Sequence, residues 1–151
     1  EYFSFLPKIN YSPAFDKYLH IGNKLKIEKD IEIRETKLIK EAANQLNEYF
    51  SGERINFSIS LDPEGTEFQH KVWNELIKIP YGETRTYKEI AEKIGNSKAA
   101  RAIGMANNKN PILMMIPCHR VVGKNKSLVG YAGGLEMKER LLEIENQSSL
   151  H

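Results

Sequence analysis

The chain has 151 residues, 40% of them hydrophobic, with a formal net charge of +2 and a pI of about 8.6. Its length fits one ordinary domain or two small ones, and so weak a positive charge permits nucleic-acid binding without arguing for it. No apolar run approaches the roughly 18 residues of a membrane span, and no signal-peptide pattern is present, so we expect a cytoplasmic protein. Cys118 is the only cysteine, which excludes an internal disulfide and a multi-cysteine zinc site.

The pattern of apolar residues changes at a turn-rich tetrapeptide, residues 62–65, where we place a domain boundary. Upstream, apolar and polar residues alternate over 24–33 and again over 55–61, which predicts two half-buried strands. Helical spacing between them predicts a helix from Leu38 to Phe50, ended by Gly52. Residues 1–62 are therefore expected to form a small strand and helix domain, and residues 63–151 a second domain.

Downstream of the boundary the pattern is mostly helical. Two capping boxes, Thr66 with Gln69 and Thr86 with Glu89, each predict the start of a helix, because the two side chains satisfy each other's free backbone amides. Gly95 predicts the end of the second of these helices.

A third predicted helix runs from Lys98 to about Asn107, with Ser97 expected to cap it. Two short helices joined by a tight turn at Gly95 are typical of a helix-turn-helix and also of an ordinary helical hairpin, and both interpretations stay open here. The third helix is rich in alanine and glycine, which would let its backbone approach a narrow groove. Arg101 would then be a probe inserted into a base stack.

The strongest local signal is the sequence from Pro117 to Arg120. A lone cysteine is more often a small buried hydrophobe than a nucleophile. Here, however, Pro117 fixes the backbone before Cys118, while His119 and Arg120 add a general base and a positive charge that would favour a thiolate. Glu145, near the end of a last helix predicted over 134–145, is our candidate for orienting His119; the alternative is a solvated helix-end carboxylate.

Two further features have both a functional and an ordinary interpretation. The glycine-rich segment 130–134 is a flexible loop whose backbone amides could contact a ligand, or a plain connection to the last helix. Tyr87 is either a core aromatic residue or, at the first turn of its predicted helix, a residue that faces DNA.

Six short motifs between residues 80 and 145 occur in the order and spacing of one family. They are Pro80-Tyr81-Gly82, Thr86-Tyr87, Ala99-Ala100-Arg101-Ala102, Asn110-Pro111, Pro117-Cys118-His119-Arg120-Val121 and Gly130-Tyr131-Ala132-Gly133-Gly134-Leu135. This part of the chain closely resembles the C-terminal domain of the O6-alkylguanine-DNA alkyltransferases. The resemblance implies an α/β (α+β) fold: a small N-terminal strand and helix domain that is RNase H-like, and a mostly helical C-terminal domain with a helix-turn-helix. Upstream of the boundary the match is loose.

The resemblance also implies roles for individual residues. Cys118 would accept the alkyl group, His119 would deprotonate it through a water, Glu145 would orient the histidine, and Asn110 would hold the reactive turn. Tyr87 would help rotate the damaged nucleotide and donate a proton toward guanine N3. The flipped base would be bound by Tyr87, Val121, Tyr131 and Ala132, the last through its backbone amide. The DNA would be bound by Lys88, Asn96 and Arg101.

The implied reaction moves an alkyl group from guanine O6, and less efficiently from thymine O4, onto Cys118. It needs no cofactor and no metal, and its partner is double-stranded DNA containing O6-alkylguanine, bound by a monomer. Because the thioether product cannot be cleaved here, each molecule would act once. Three alternatives belong to other functional classes. A module that recognises alkylated bases without transfer would lack the acceptor cysteine. A cysteine hydrolase would need an oxyanion hole, and a transcription factor would need more base-reading side chains on its second helix.

Overall fold

The computed structural model describes residues 37–148, which form a helix-rich mixed fold with a small parallel sheet. Its elements in chain order are α1 (Lys37–Phe50), α2 (Glu67–Ile77), β1 (Arg85–Thr86), α3 (Tyr87–Lys93), α4 (Ala100–Asn108), a 3-10 turn (Cys118–Arg120), β2 (Val121–Val122), a second 3-10 turn (Lys124–Lys126) and α5 (Leu135–Ser148). β1 and β2 pair in parallel, with Arg85 opposite Val121 and Thr86 opposite Val122. The predicted strand at 24–33 lies outside the described residues.

Both predicted capping boxes are confirmed. The Thr66 side chain accepts from the Gln69 amide at the start of α2, and the Gln69 side chain accepts from the Thr66 amide. Thr86 and Glu89 make the same reciprocal pair at the start of α3. Since α3 begins directly after β1, this cap fixes the position of its first residue, Tyr87, beside β2.

The predicted cap of the third helix is wrong. This helix, α4, begins at Ala100, and the residue before it makes no side-chain hydrogen bond to the helix. Ser97 is three residues upstream of the first helical residue, too far to bond the amides of the first turn. Asn96 instead accepts from the Lys98 amide at 3.2 Å, and Gly95 turns the chain with a φ of +82°.

Residues 57–61 keep the predicted alternation of burial, but Ile55 is 53% exposed, and the segment 55–61 does not belong to a strand in the described structure. Phe57, Ile59 and Leu61 are half-buried, and the serines between them are exposed. The other predicted strand, at 24–33, lies outside the described residues. Within them the segment is attached to α1 by Gln45, whose side chain bonds both the amide of Ser58, at 2.9 Å, and its hydroxyl, at 2.7 Å.

One hydrophobic core joins the helices on both sides of residue 62. Trp73 of α2 is buried in this core, and its indole nitrogen donates to the Ala106 carbonyl of α4 at 3.0 Å. Tyr49 of α1 and Leu141 of α5 are fully buried in the same cluster. The helix upstream of the predicted boundary therefore packs directly against the part that contains Cys118. Within residues 37–148, no helix is both long enough and apolar enough to cross a membrane.

Candidate functional site

Cys118 is the first residue of the 3-10 turn, and its side chain has no solvent exposure. Asn110 holds this turn in place. Its amide nitrogen donates to Cys118 Sγ at 3.1 Å and to the Ile116 carbonyl at 2.8 Å, while its oxygen accepts from the Ile112 amide at 3.0 Å. Asn107, which sequence reasoning missed, donates to the Cys118 carbonyl at 3.3 Å. Both sides of the turn are therefore fixed by buried asparagines.

The expectation that its neighbours make Cys118 a thiolate is wrong for this structure. Burial raises the pKa of the Cys118 thiol to about 11, although the Asn110 hydrogen bond and the charge of Lys138 oppose the shift. Arg120, the expected source of positive charge, is directed to the Glu145 carboxylate and the Ile79 carbonyl. The thiol is consequently protonated at neutral pH, and its reaction requires a base.

Glu145 is fully buried, and its carboxylate is contacted by donors from four residues, so the interpretation of a solvated helix-end carboxylate is wrong. His119 Nε2 lies 2.7 Å from Oε1. The Arg120 guanidinium donates to both oxygens at 3.0 to 3.1 Å. The Gly82 amide donates to Oε2 at 3.1 Å, and the Tyr49 hydroxyl donates to Oε1 at 2.7 Å.

These contacts define the protonation of the pair. Burial alone would raise the pKa of Glu145, but hydrogen bonds from His119 and Arg120 outweigh it and lower the pKa to about 2. Burial lowers the pKa of His119, with Glu145 opposing, so the imidazole is neutral at physiological pH. Its bond to a carboxylate assigns the proton to Nε2. Nδ1, which is buried without a hydrogen-bond partner among the described residues, is then the atom that can accept a proton.

Lys138 of α5 is a second buried residue that sequence reasoning missed. Its Nζ donates to the carbonyls of Val121, Val129 and Gly130, and lies 6.0 Å from the centre of the Tyr87 ring. Burial lowers its pKa to about 8, and the nearby Cys118 opposes the shift. The signal that could have found it is spacing: Lys138 precedes Glu145 by two helical turns and shares its buried face.

The residues expected to bind the base meet at one place. Tyr87, half-buried at the start of α3, donates to the carbonyls of Val129 at 3.0 Å and Gly130 at 3.3 Å. Tyr131 is mostly buried and Ala132 half-buried in the loop that follows. Val121, paired with β1, completes the set. The start of α3, β2 and this loop thus surround one side of the reactive turn.

The residues expected to bind DNA lie elsewhere, on the surface. Lys88 is exposed on α3, where it pairs with Glu92 at 3.7 Å. Asn96 is exposed in the turn between α3 and α4, and Arg101 is exposed in the first turn of α4. Lys88 and Arg101 thus lie on the exposed surfaces of α3 and α4, and Asn96 lies in the exposed turn between these two helices.

A family model for the DNA binding domain of 6-O-methylguanine DNA methyltransferase matches residues 67–147, more than half of the chain. The chain belongs to this family. It is 55% identical over 131 residues to the methylated-DNA–protein-cysteine methyltransferase of Methanosarcina acetivorans, covering 85% of this chain and 84% of that one. The enzyme of the same name from Mycobacterium leprae is 56% identical over 110 residues, covering 73% and 67%.

Solved structures agree with this assignment. The crystal structure of Mycobacterium tuberculosis OGT in complex with DNA has a TM-score of 0.72 and 52% sequence identity, covering 73% of this chain and 68% of that one. The O6-methylguanine-DNA methyltransferase of Pyrococcus kodakaraensis has a TM-score of 0.62 and 30% identity, covering 87% and 75%.

Proposed function

We propose that this chain repairs alkylated DNA by moving an alkyl group from guanine O6 in double-stranded DNA directly and irreversibly onto Cys118. The observation that carries the proposal is the arrangement at the reactive turn. A buried thiol is held by Asn110 and followed by a neutral histidine whose Nε2 lies 2.7 Å from a buried, ionised Glu145. These are an acceptor, its base and the group that orients the base, in the order that nucleophilic catalysis requires.

In the proposed reaction, the Cys118 proton passes through a water to Nδ1 of His119, and Glu145 stabilises the imidazolium that results. The sulfur attacks the alkyl carbon, so that a sulfur–carbon bond forms as the carbon–O6 bond breaks. Guanine leaves with the electron pair and takes a proton at N3 from Tyr87. Donors directed at that developing charge accelerate the transfer selectively, because the charge is absent from the intact lesion.

A base within the duplex cannot be reached by a buried thiol, so the proposal includes flipping of the damaged nucleotide, which costs a few kcal/mol. We assign α3 and α4 as the two helices of a helix-turn-helix, with the small residues of α4 close to the minor groove and Arg101 filling the gap in the stack. Lys88 and Asn96 would contact the DNA backbone. Val121, Tyr131 and the Ala132 amide would bind the flipped base, as would Tyr87 once it leaves its loop carbonyls.

We also propose how the protein acts, where it works and how its chain is divided. The protein acts as a monomer without cofactor or metal, also acts less efficiently on O4-methylthymine, and works in the cytoplasm, where thiols stay reduced. Residues 1–62 and 63–151 form its two domains, the first RNase H-like. The product thioether is stable, so each molecule reacts once.

Intact-protein mass spectrometry tests the proposal. After incubation with a duplex carrying one O6-methylguanine, the protein is expected to gain the mass of one methyl group and to stop at one equivalent. Cys118→Ser should gain nothing, and an unmodified duplex should leave the mass unchanged. If the wild-type protein binds the lesion tightly but keeps its mass, recognition without transfer is the better account.

Methylation of Cys118 is expected to destabilise the protein. The side chain is fully buried and its sulfur is in contact with Asn110, so a methyl group overpacks the turn, at a cost of about 1–3 kcal/mol. Thermal unfolding of the methylated protein, purified away from DNA, should show a lower Tm than protein treated with undamaged duplex. Equal Tm values would contradict this expectation.

A further inference from the structure

Tyr49 comes from α1, outside the residues 67–147 that match the family's DNA binding domain, yet its hydroxyl lies at the reactive site. The hydroxyl donates to Glu145 Oε1 at 2.7 Å and lies 3.4 Å from His119 Nε2. It therefore sits beside the bond between the histidine and the carboxylate, in contact with both partners. The roles proposed above leave this residue unused.

Packing fixes the position of this hydroxyl. The Tyr49 side chain has no solvent exposure, and its ring makes edge contacts with Tyr81, at 6.0 Å between centroids, and Phe50, at 5.6 Å. Phe57 lies 5.4 Å away on the segment that follows α1. A ring enclosed in this way cannot turn its hydroxyl elsewhere without repacking the core, so the hydrogen bond to Glu145 is built into the fold.

We propose that Tyr49 is a positioning residue for the transfer reaction: its buried hydroxyl holds the Glu145 carboxylate in the orientation that bonds His119. The inference rests on the proposed function and extends it to the upstream part of the chain. It assigns α1 a part in the chemistry: the helix supplies a hydrogen-bond donor to the group that orients the base.

The chemical consequence concerns the basicity of His119. The titratable and charged groups that act on it are Tyr49 from α1, Arg120 from its own turn, and Lys138 and Glu145 from α5. A phenol that donates to Oε1 withdraws negative charge from the carboxylate. Without the phenol, the carboxylate stabilises a protonated His119 more strongly, so the pKa of His119 rises, and the carboxylate is also held less firmly in place.

The test is Tyr49→Phe in the full chain, which removes the hydroxyl and keeps the ring. The rate of methyl gain is measured by mass spectrometry at saturating lesion duplex from about pH 8 downward, continuing below about pH 5 because burial lowers the pKa of His119 from its usual value. We expect the rate at the plateau to fall about tenfold, as for the loss of one hydrogen bond to a charged group. We also expect the acid limb of the profile to move to higher pH.

Tyr81→Phe is the matched control, because its hydroxyl comes from the same aromatic cluster but donates to the Ile144 carbonyl at 3.4 Å. It should leave both the rate and the acid limb as in the wild type. A Tyr49→Phe protein that matches the wild type, or that loses rate with an unmoved acid limb, overturns the proposal while the wild-type methyl transfer still stands. A wild-type protein that gains no methyl group overturns the proposed function itself.

A measurement on the wild-type protein without DNA covers the case in which Tyr49→Phe fails to fold. Nuclear magnetic resonance should show His119 protonated at Nε2, with a cross-peak between that proton and the Tyr49 hydroxyl proton. A neutral His119 protonated at Nδ1, or the absence of this cross-peak, overturns the assignment.

Discussion

Glu145→Gln is expected to lower the free energy of unfolding by about 3–5 kcal/mol, the usual result of removing one partner from a buried ion pair. Arg120 is 7% exposed, and its guanidinium bonds both carboxylate oxygens, so a glutamine at position 145 would leave the guanidinium charge uncompensated. The NH2 group of the glutamine side chain would also face hydrogen-bond donors rather than acceptors, because the Gly82 backbone N–H and the Tyr49 hydroxyl both donate to the Glu145 carboxylate. Chemical denaturation measures this loss.

The same substitution is expected to slow methyl transfer by roughly 10² to 10⁴, the range for loss of assisted proton transfer. His119 would lose the carboxylate that keeps its proton on Nε2 and stabilises the imidazolium. Glu143→Gln is the control, because Glu143 lies on the same helix in an exposed pair with Arg140, which contributes little to stability. Wild-type stability and rate in Glu145→Gln would refute the assigned role.

Lys138→Met is expected to slow methyl transfer by about 10- to 100-fold, equivalent to losing about 1.5–3 kcal/mol of charged hydrogen bonding. The charge of Lys138 opposes the rise in the Cys118 pKa, so its loss makes the thiolate harder to form. Lys138 also connects the Val121 carbonyl to the carbonyls of Val129 and Gly130. Without it, the loop expected to bind the base is less firmly held.

Stability should change much less in this variant than transfer does. Burial already lowers the pKa of Lys138 to about 8, which means that the fold disfavours its charge, and methionine removes that penalty along with the hydrogen bonds. Tyr87 still donates to two of the three carbonyls. Lys71→Met, at an exposed position paired with Glu67, serves as the control. A Lys138→Met protein that transfers at the wild-type rate would contradict the expectation.

Local chemistry explains which elements could be predicted. A capping box is complete within four residues, so Thr66 and Thr86 were enough to locate the starts of α2 and α3. The cap at Ser97 failed because the turn after Gly95 takes two more residues before α4 begins, and no rule of local spacing gives that number. The interpretation of 55–61 as a strand depends on a distant partner, which local alternation cannot supply.

At the site, the residues alone made Glu145 a candidate partner of His119 but left a solvated helix-end carboxylate as the alternative, and the resemblance favoured the pairing. The two lie 26 positions apart, and only packing of α5 against the reactive turn brings them to 2.7 Å. Proximity along the chain did not predict where the Arg120 charge acts. Arg120 is two residues from Cys118 in sequence, but its guanidinium is directed to Glu145. Tyr49 and Lys138 resemble ordinary helix residues in sequence, and their role follows from the depth to which tertiary packing buries them.

The complete burial of Cys118 has a consequence for the lifetime expected of an unused molecule. A single-use reagent is wasted whenever its sulfur meets a dissolved oxidant or electrophile. With no exposed surface and its proton retained, the sulfur is available to such compounds only while the reactive turn is open. We therefore expect accidental inactivation to be limited by how often the fold opens around Cys118, which would preserve active protein between encounters with damage.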